Sequence, residues 1–200
     1  GCLIEKQLTT PDAYPLTLNS LRLACCQKSN RDPVVDMAER DVLRAIDSLI
    51  ANHRLAFRID TAGGRVPHYG HRAGEVLAVD EPAIAVLAEL MLRGPQTAGE
   101  LRTRAGRMHP LETVDAVEQV LDGLGQREPH PLATKLPLQP RRKEPRYAHL
   151  LGGEAELPED QPEPAKPEPA RVALAAEDRR LDDVEQAMAD LRSQLEQLRH

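Results

Sequence analysis

The chain has 200 residues, 29% charged and 40% hydrophobic, with a net charge of −6, an ordinary composition for a soluble protein of one or two domains. Tyr14, Phe57, Tyr69 and Tyr147 are its aromatics, so Leu, Ile, Val and Ala must fill the core, and the scarcity of stacking surfaces argues against single-stranded nucleic-acid recognition. No run approaches the roughly 18 apolar residues of a membrane helix, and three cysteines, two of them adjacent, make no disulfide framework, so no membrane association is expected and a reducing cytoplasm is the expected location.

Gly1–Leu8 reads as the tail of an apolar-periodic helix, broken by Thr10-Pro11-Asp12 and Tyr14-Pro15. Thr17 is the expected N-cap of the next helix, with Leu18, Leu21 and Cys25 inward and Cys26 nearer solvent. After the turn-rich loop Ser29-Asn30-Arg31-Asp32-Pro33, a third helix is expected from Ala38 to Asn52, with Val42, Ala45, Ile46 and Leu49 inward. Leu55–Asp60 and Val66–His71 then read as a hairpin around Ala62-Gly63-Gly64.

The second half repeats this order. Asp80-Glu81-Pro82 opens a helix to about Leu92, Thr97 caps a second through about Met108, and Glu112–Gly125 is the third. Leu132–Leu138 and Arg146–Leu150 form a hairpin with a basic tip. Pro67-His68-Tyr69-Gly70-His71 matches Pro145-Arg146-Tyr147-Ala148-His149. The stripe Val42, Ala45, Ile46, Asp47 and Leu49 matches Val117, Val120, Leu121, Asp122 and Leu124, and Thr17–Leu21 matches Thr97–Leu101. Such matches in one order indicate a duplicated module. Gly1–Leu8 matches only the second half of the helix opening the second copy, so the first helix is expected to be clipped.

Three helices and a hairpin make the winged-helix arrangement. The expected fold is mainly α with small β-hairpins (α+β): two tandem winged-helix domains over 1–73 and 80–152, a Pro/Glu-rich acidic linker over 153–171 and a coiled-coil helix over 172–200. Leu174, Leu181, Met188 and Leu195 share one heptad position, and Val184, Leu191 and Leu198 follow three residues after the last three of these. This narrow stripe predicts a homodimer through the C-terminal helix.

The strings Gly1–Lys6, Thr9–Leu16, Gln27–Val34 and Leu92–Arg102 make the chain similar to the bacterial YceH family, over Gly1 to about Gly153. The resemblance implies a pair of winged-helix domains in a cytoplasmic bacterial protein, and it implies no catalytic residue.

Duplex DNA is the first candidate partner, because the third helix of a winged helix enters the major groove while the wing touches backbone. Candidate contacts are Lys28, Asn30, Arg31, Arg40, Arg44 and Arg54 in the first half and Arg141, Arg142, Lys143 and Arg146 on the second wing. Asp47 works against this reading. The third helix of the second half faces outward with Asp115, Glu118, Gln119, Asp122 and Gln126, which phosphate would repel. A protein–protein adaptor that never touches nucleic acid is therefore the alternative. No phosphate loop, nucleophile elbow, zinc-protease helix or CxxC spacing is present, so no enzyme activity, cofactor or metal is expected. Tyr69 with His71, and Tyr147 with His149, are expected to pack on the third helix of their own half.

Overall fold

In the computed structural model, residues 1–60, 66–140 and 142–153 are described. Arg141, the acidic linker from residue 154 onward and the heptad segment 172–200 lie outside the described residues. The first half begins with α1 (Cys2–Thr9), a 3₁₀ turn at Pro11–Ala13, the short strand β1 (Leu16–Thr17) and α2 (Leu18–Cys25). It continues with α3 (Glu39–Ala51), β2 (Ala56–Ile59), β3 (His68–His71) and the short α4 (Ala73–Leu77). The second half comprises α5 (Glu81–Arg93), α6 (Ala98–Ala105), α7 (Val114–Gly125), β4 (Ala133–Lys135) and β5 (Tyr147–His149).

Side-chain caps fix where most of these helices start. Thr17 accepts the Ser20 N–H, Asp80 that of Ala83, and Thr113 that of Ala116. Thr97 and Glu100 form a reciprocal capping box on α6, satisfying two amides that would otherwise be orphaned. Gly94, at a φ of 69°, ends α5 in a backbone conformation that a side chain would strain.

The two halves use the same backbone connections. Leu16 pairs with Tyr69 in the first half, and Gln96 makes the corresponding bridge to Tyr147 in the second. Ala56 opposite His71, Phe57 opposite Gly70 and Arg58 opposite Tyr69 recur as Ala133 opposite His149, Thr134 opposite Ala148 and Lys135 opposite Tyr147. The hydrogen bond from Arg72 N–H to the Leu55 carbonyl likewise recurs from Leu150 to Leu132. The first sheet has the order β1-β3-β2 and the second pairs β4 with β5, all antiparallel.

Two apolar cores result. One gathers Leu3, Leu16, Leu21, Ala24, Val42, Ile46, Ala56 and Tyr69. The other surrounds α5, whose apolar residues cover its whole circumference, and takes in Leu101, Val117, Leu121, Leu124 and Tyr147. Ile4 of α1 belongs to this second core, whereas its neighbour Leu3 belongs to the first. Helix α1 thus packs against both α2 and α5 and joins the halves.

Several side-chain expectations need correction. Ala45 is exposed, because Leu43 and Ile50 rather than Ala45 complete the stripe begun by Val42 and Ile46. On α2 the deeply buried positions are Leu21 and Ala24, and Leu18, Cys25 and Cys26 are all half-buried. Tyr69 shares its core with Val42 and Ile46 of α3 as expected, but His71 lies against Tyr14, whose ring meets it edge-on at 6.1 Å.

Gly70 sits under the Phe57 ring so closely that a Cβ there would stand 2.3 Å from Phe57 Cζ. Gly70→Ala is expected to lower unfolding stability by about 1–3 kcal/mol through overpacking. Adding Phe57→Thr reproduces the Thr134–Ala148 pair of the second half and should recover most of the loss in urea titrations; equal losses in both backgrounds would contradict the account.

Candidate functional site

Charged residues stand inside otherwise apolar stretches at two places. Glu5 follows Leu3 and Ile4 on α1, and Glu89 interrupts the apolar run of α5; their side chains are 1% and 0% exposed. A buried carboxylate is tolerated only where cations and donors replace the water it has lost. Arg31, from the loop after α2, provides this by binding both oxygens of Glu5, while its Nε and Nη2 donate to the Ala24 carbonyl and its Nη1 to the Asn30 carbonyl. Arg107, just beyond α6, bridges Glu5 Oε1 to Glu89 Oε2, the latter at 3.0 Å. Arg93 Nε lies 2.9 Å from Glu89 Oε1 as an ion pair without hydrogen-bond alignment, and its Nη2 donates to Asn30 Oδ1 at 2.7 Å. The Asp32 N–H donates to the Leu92 carbonyl beside it.

This network changes the candidate DNA set. Arg31 is buried and spent on Glu5, so it cannot reach a phosphate. Asn30, held at a φ of 56°, turns its side-chain oxygen to Arg93 rather than to a base edge. Arg146 is half-buried and donates to the Pro95 carbonyl, which ties the chain ahead of β5 to the loop between α5 and α6. Arg142 is half-buried, Lys143 is exposed, and Arg141 lies outside the described residues.

Lys28, Arg40, Arg44 and Arg54 of that set remain exposed in the first half. Arg40 and Arg44 project from α3 with side chains 83% and 80% exposed, both near Asp41 at 3.8 and 3.9 Å. Asp47 and Ala51 share that exposed face, Arg54 is exposed just beyond it, and Lys28 is exposed in the loop after α2. Exposed ion pairs of this length contribute about 0–1 kcal/mol, so a phosphate could displace Asp41. On α7 the corresponding exposed residues are Asp115, Glu118, Gln119, Asp122 and Gln126.

His71 accepts the Ala73 N–H through Nδ1, its own N–H donates to Tyr14 Oη, and burial pushes its pKa down to about 4, leaving the ring neutral at pH 7. Burial lowers His149 in the same direction. A groove of about 830 Å³ between the start of α5 and α7 is walled by Pro82, Pro110, Leu111, Val120 and Leu124. Arg127 at its edge is committed to the Leu77 and Ala78 carbonyls, and none of the sequence-expected site residues lines it. Among the described residues no group of three or more His, Cys, Asp or Glu could hold a metal ion, and no helix is long and apolar enough to cross a membrane.

Residues 1–142, the first half and the second through β4, match the family described as "Protein of unknown function, DUF480". A UPF0502 protein of Geotalea uraniireducens is 55% identical over 193 residues, covering 96% of this chain and 86% of the relative. UPF0502 proteins of Geobacter sulfurreducens and Opitutus terrae are 53% and 47% identical, covering 96% and 84% of this chain and 85% and 72% of those relatives. The chain belongs to this DUF480/UPF0502 family of bacterial proteins.

Removing the Glu5 charge leaves Arg31 buried without compensation, so Glu5→Gln is expected to cost about 3–5 kcal/mol in chemical denaturation. Burial would raise the Glu5 carboxyl, but the hydrogen bonds and charges of Arg31 and Arg107 outweigh it and hold the group below the usual carboxylate range. Its folded-state value is depressed, so its contribution is complete above the unfolded value of about 4.3 and is lost as pH falls through the folded value. The stability of Glu5→Gln should accordingly fall less steeply below pH ~4.3 than that of the parent chain; parallel acid limbs would refute this.

Proposed function

We propose that this is a tandem winged-helix protein of the YceH kind, a non-enzymatic, DNA-associated regulatory protein of the cytoplasm that docks duplex DNA through α3 of the first half. The observation that carries the reading is the uncovered face of α3, where Arg40 and Arg44 are free of the core, flanked by exposed Lys28 and Arg54. Support for the winged-helix assignment comes from the repeated order of three helices and two strands, with a short extended segment between the first and second helices. A helix with two cations on its free side can enter a major groove while the neighbouring loop contacts phosphates. The acidic outer face of α7 would be repelled from the same duplex, so the halves divide the work, with Lys143 and Arg142 of the second wing as the contribution of the second half.

A second reading, a protein–protein adaptor, is favoured by that same α7 face and by exposed Leu23, Val34 and Val35 around α2 and its following loop. Self-association belongs to both readings: the seven-residue spacing of Leu174, Leu181, Met188 and Leu195 supports a homodimer through residues 172–200.

Fluorescence anisotropy with a random-sequence duplex across a salt series tests the first reading. The chain should bind at low salt, and Arg40→Ala with Arg44→Ala should flatten the log–log salt slope by about 2, whereas Arg102→Ala on α6 leaves it unchanged. Absence of binding at low salt would eliminate the DNA reading and leave the adaptor. In sedimentation equilibrium the full chain should run as a dimer and a chain ending at residue 170 as a monomer; a monomeric full chain would overturn the assembly proposal.

A further inference from the structure

We infer that the groove between the start of α5 and α7 is a docking site for a basic amphipathic helix of a partner protein. It has a volume of about 830 Å³, and Val79, Leu111 and Val120, each only partly buried against the second core, open into it. Thr113, Ala116, Val120, Gly123 and Arg127 line it at intervals of three and four residues, so one face of α7 and its flanks borders it from end to end. The 12 residues of α7 extend about 18 Å, room for roughly three turns of a second helix alongside.

Small side chains permit a close approach. Ala116 and Gly123 stand one heptad apart on that face, and a Cβ added at Gly123 would meet nothing within 4 Å. The matching positions of α3 are Asp41 and Ser48, so the duplicated helix carries polar groups where α7 is bare.

The occupant follows from what the walls can satisfy. Pro82 and Pro110 have no N–H, and the backbone of α7 is bonded within the helix, so an extended peptide would find few main-chain partners there. A helix bonds its own backbone and asks only for apolar contact. Charge then selects its sign. Asp80 and Glu112 line the groove, and Glu81, Asp115 and Asp122 are exposed beside lining residues. Of the basic side chains around it, Arg127 is committed to the Leu77 and Ala78 carbonyls, Arg102 donates to the Glu112 carbonyl, and His109 Nδ1 lies 3.7 Å from Glu81 Oε2. Carboxylates therefore outnumber cations, which favours lysines or arginines flanking the apolar stripe of the incoming helix. The same charges repel duplex DNA, so this site goes beyond the α3 reading and does not depend on it.

Fluorescence anisotropy of a labelled model helix, two heptads of Leu-Lys-Lys-Leu-Leu-Lys-Leu, tests this on the full chain. The chain should bind it, and should bind a scrambled peptide of the same composition and a Leu/Glu counterpart about tenfold more weakly or worse. Gly123→Leu fills the groove and should weaken binding about tenfold or more, while its urea midpoint equals or exceeds the parent's, since leucine is the better helix former and enters open space. Gly123→Ala should stay within about threefold of the parent. Glu112→Gln with Asp122→Asn should flatten the salt dependence of peptide binding. Duplex affinity should be the same for Gly123→Leu and the parent, which separates a failure here from a failure of the α3 reading. No peptide binding at low salt, equal binding of the scrambled or acidic peptide, or an unaffected Gly123→Leu would each overturn the inference. Loss of duplex binding or of self-association in Gly123→Leu would overturn it as well, by assigning the groove to nucleic acid or to a second copy of this chain.

Discussion

A carboxylate with almost no contact with water holds the two halves of this protein together. Glu5 gives one oxygen to a cation from its own half and shares the other with Arg107, from 102 residues away in sequence. Each charge removed from water carries a penalty of several kcal/mol, and only the complete set of partners offsets it. Glu89, Arg93 and Asn30 extend the same logic along α5 and back to the loop after α2. The described residues all belong to one compact unit, and the network explains why two small modules, each near the size limit for independent folding, form a single body.

The halves share a backbone plan while their surfaces differ. Equivalent strand pairings and capping threonines survive in both, because the hydrogen-bonding needs of main-chain groups do not depend on what the side chains face. Outward positions of the third helices answer to solvent instead, and there Arg40 and Arg44 on α3 stand where α7 has Asp115 and Gln119. The difference also reaches the β-hairpins, where Phe57 stands opposite Gly70 in one half and Thr134 opposite Ala148 in the other.

Local signals in the sequence were sufficient for most elements. Thr17, Asp80 and Thr97 marked helix starts correctly, since capping depends on residues three apart. The third helices and both hairpins lie within a few residues of their expected bounds. Strand β1 escaped notice because two residues carry no periodicity and need β3, some fifty positions later, to define them. Helix α4 fell in the stretch read as a junction between domains. The largest misreading was Arg31, whose turn-rich surroundings resemble an exposed loop while its partner lies 26 residues upstream. A signal was available: Glu5 beside Leu3 and Ile4, and Glu89 in an apolar helix, each require buried cations. What identifies those cations is long-range geometry, which no single stretch of the chain contains.

Helix α1 meets three different surroundings with three consecutive side chains: Leu3 in one core, Ile4 in the other and Glu5 among the arginines. Successive helical residues differ by about 100° in direction, so inserting or deleting one residue between Glu5 and the end of α1 would swing all three away from their sites at once. The helix therefore works like a key cut on three sides. The spacing within those eight residues is fixed by both modules together.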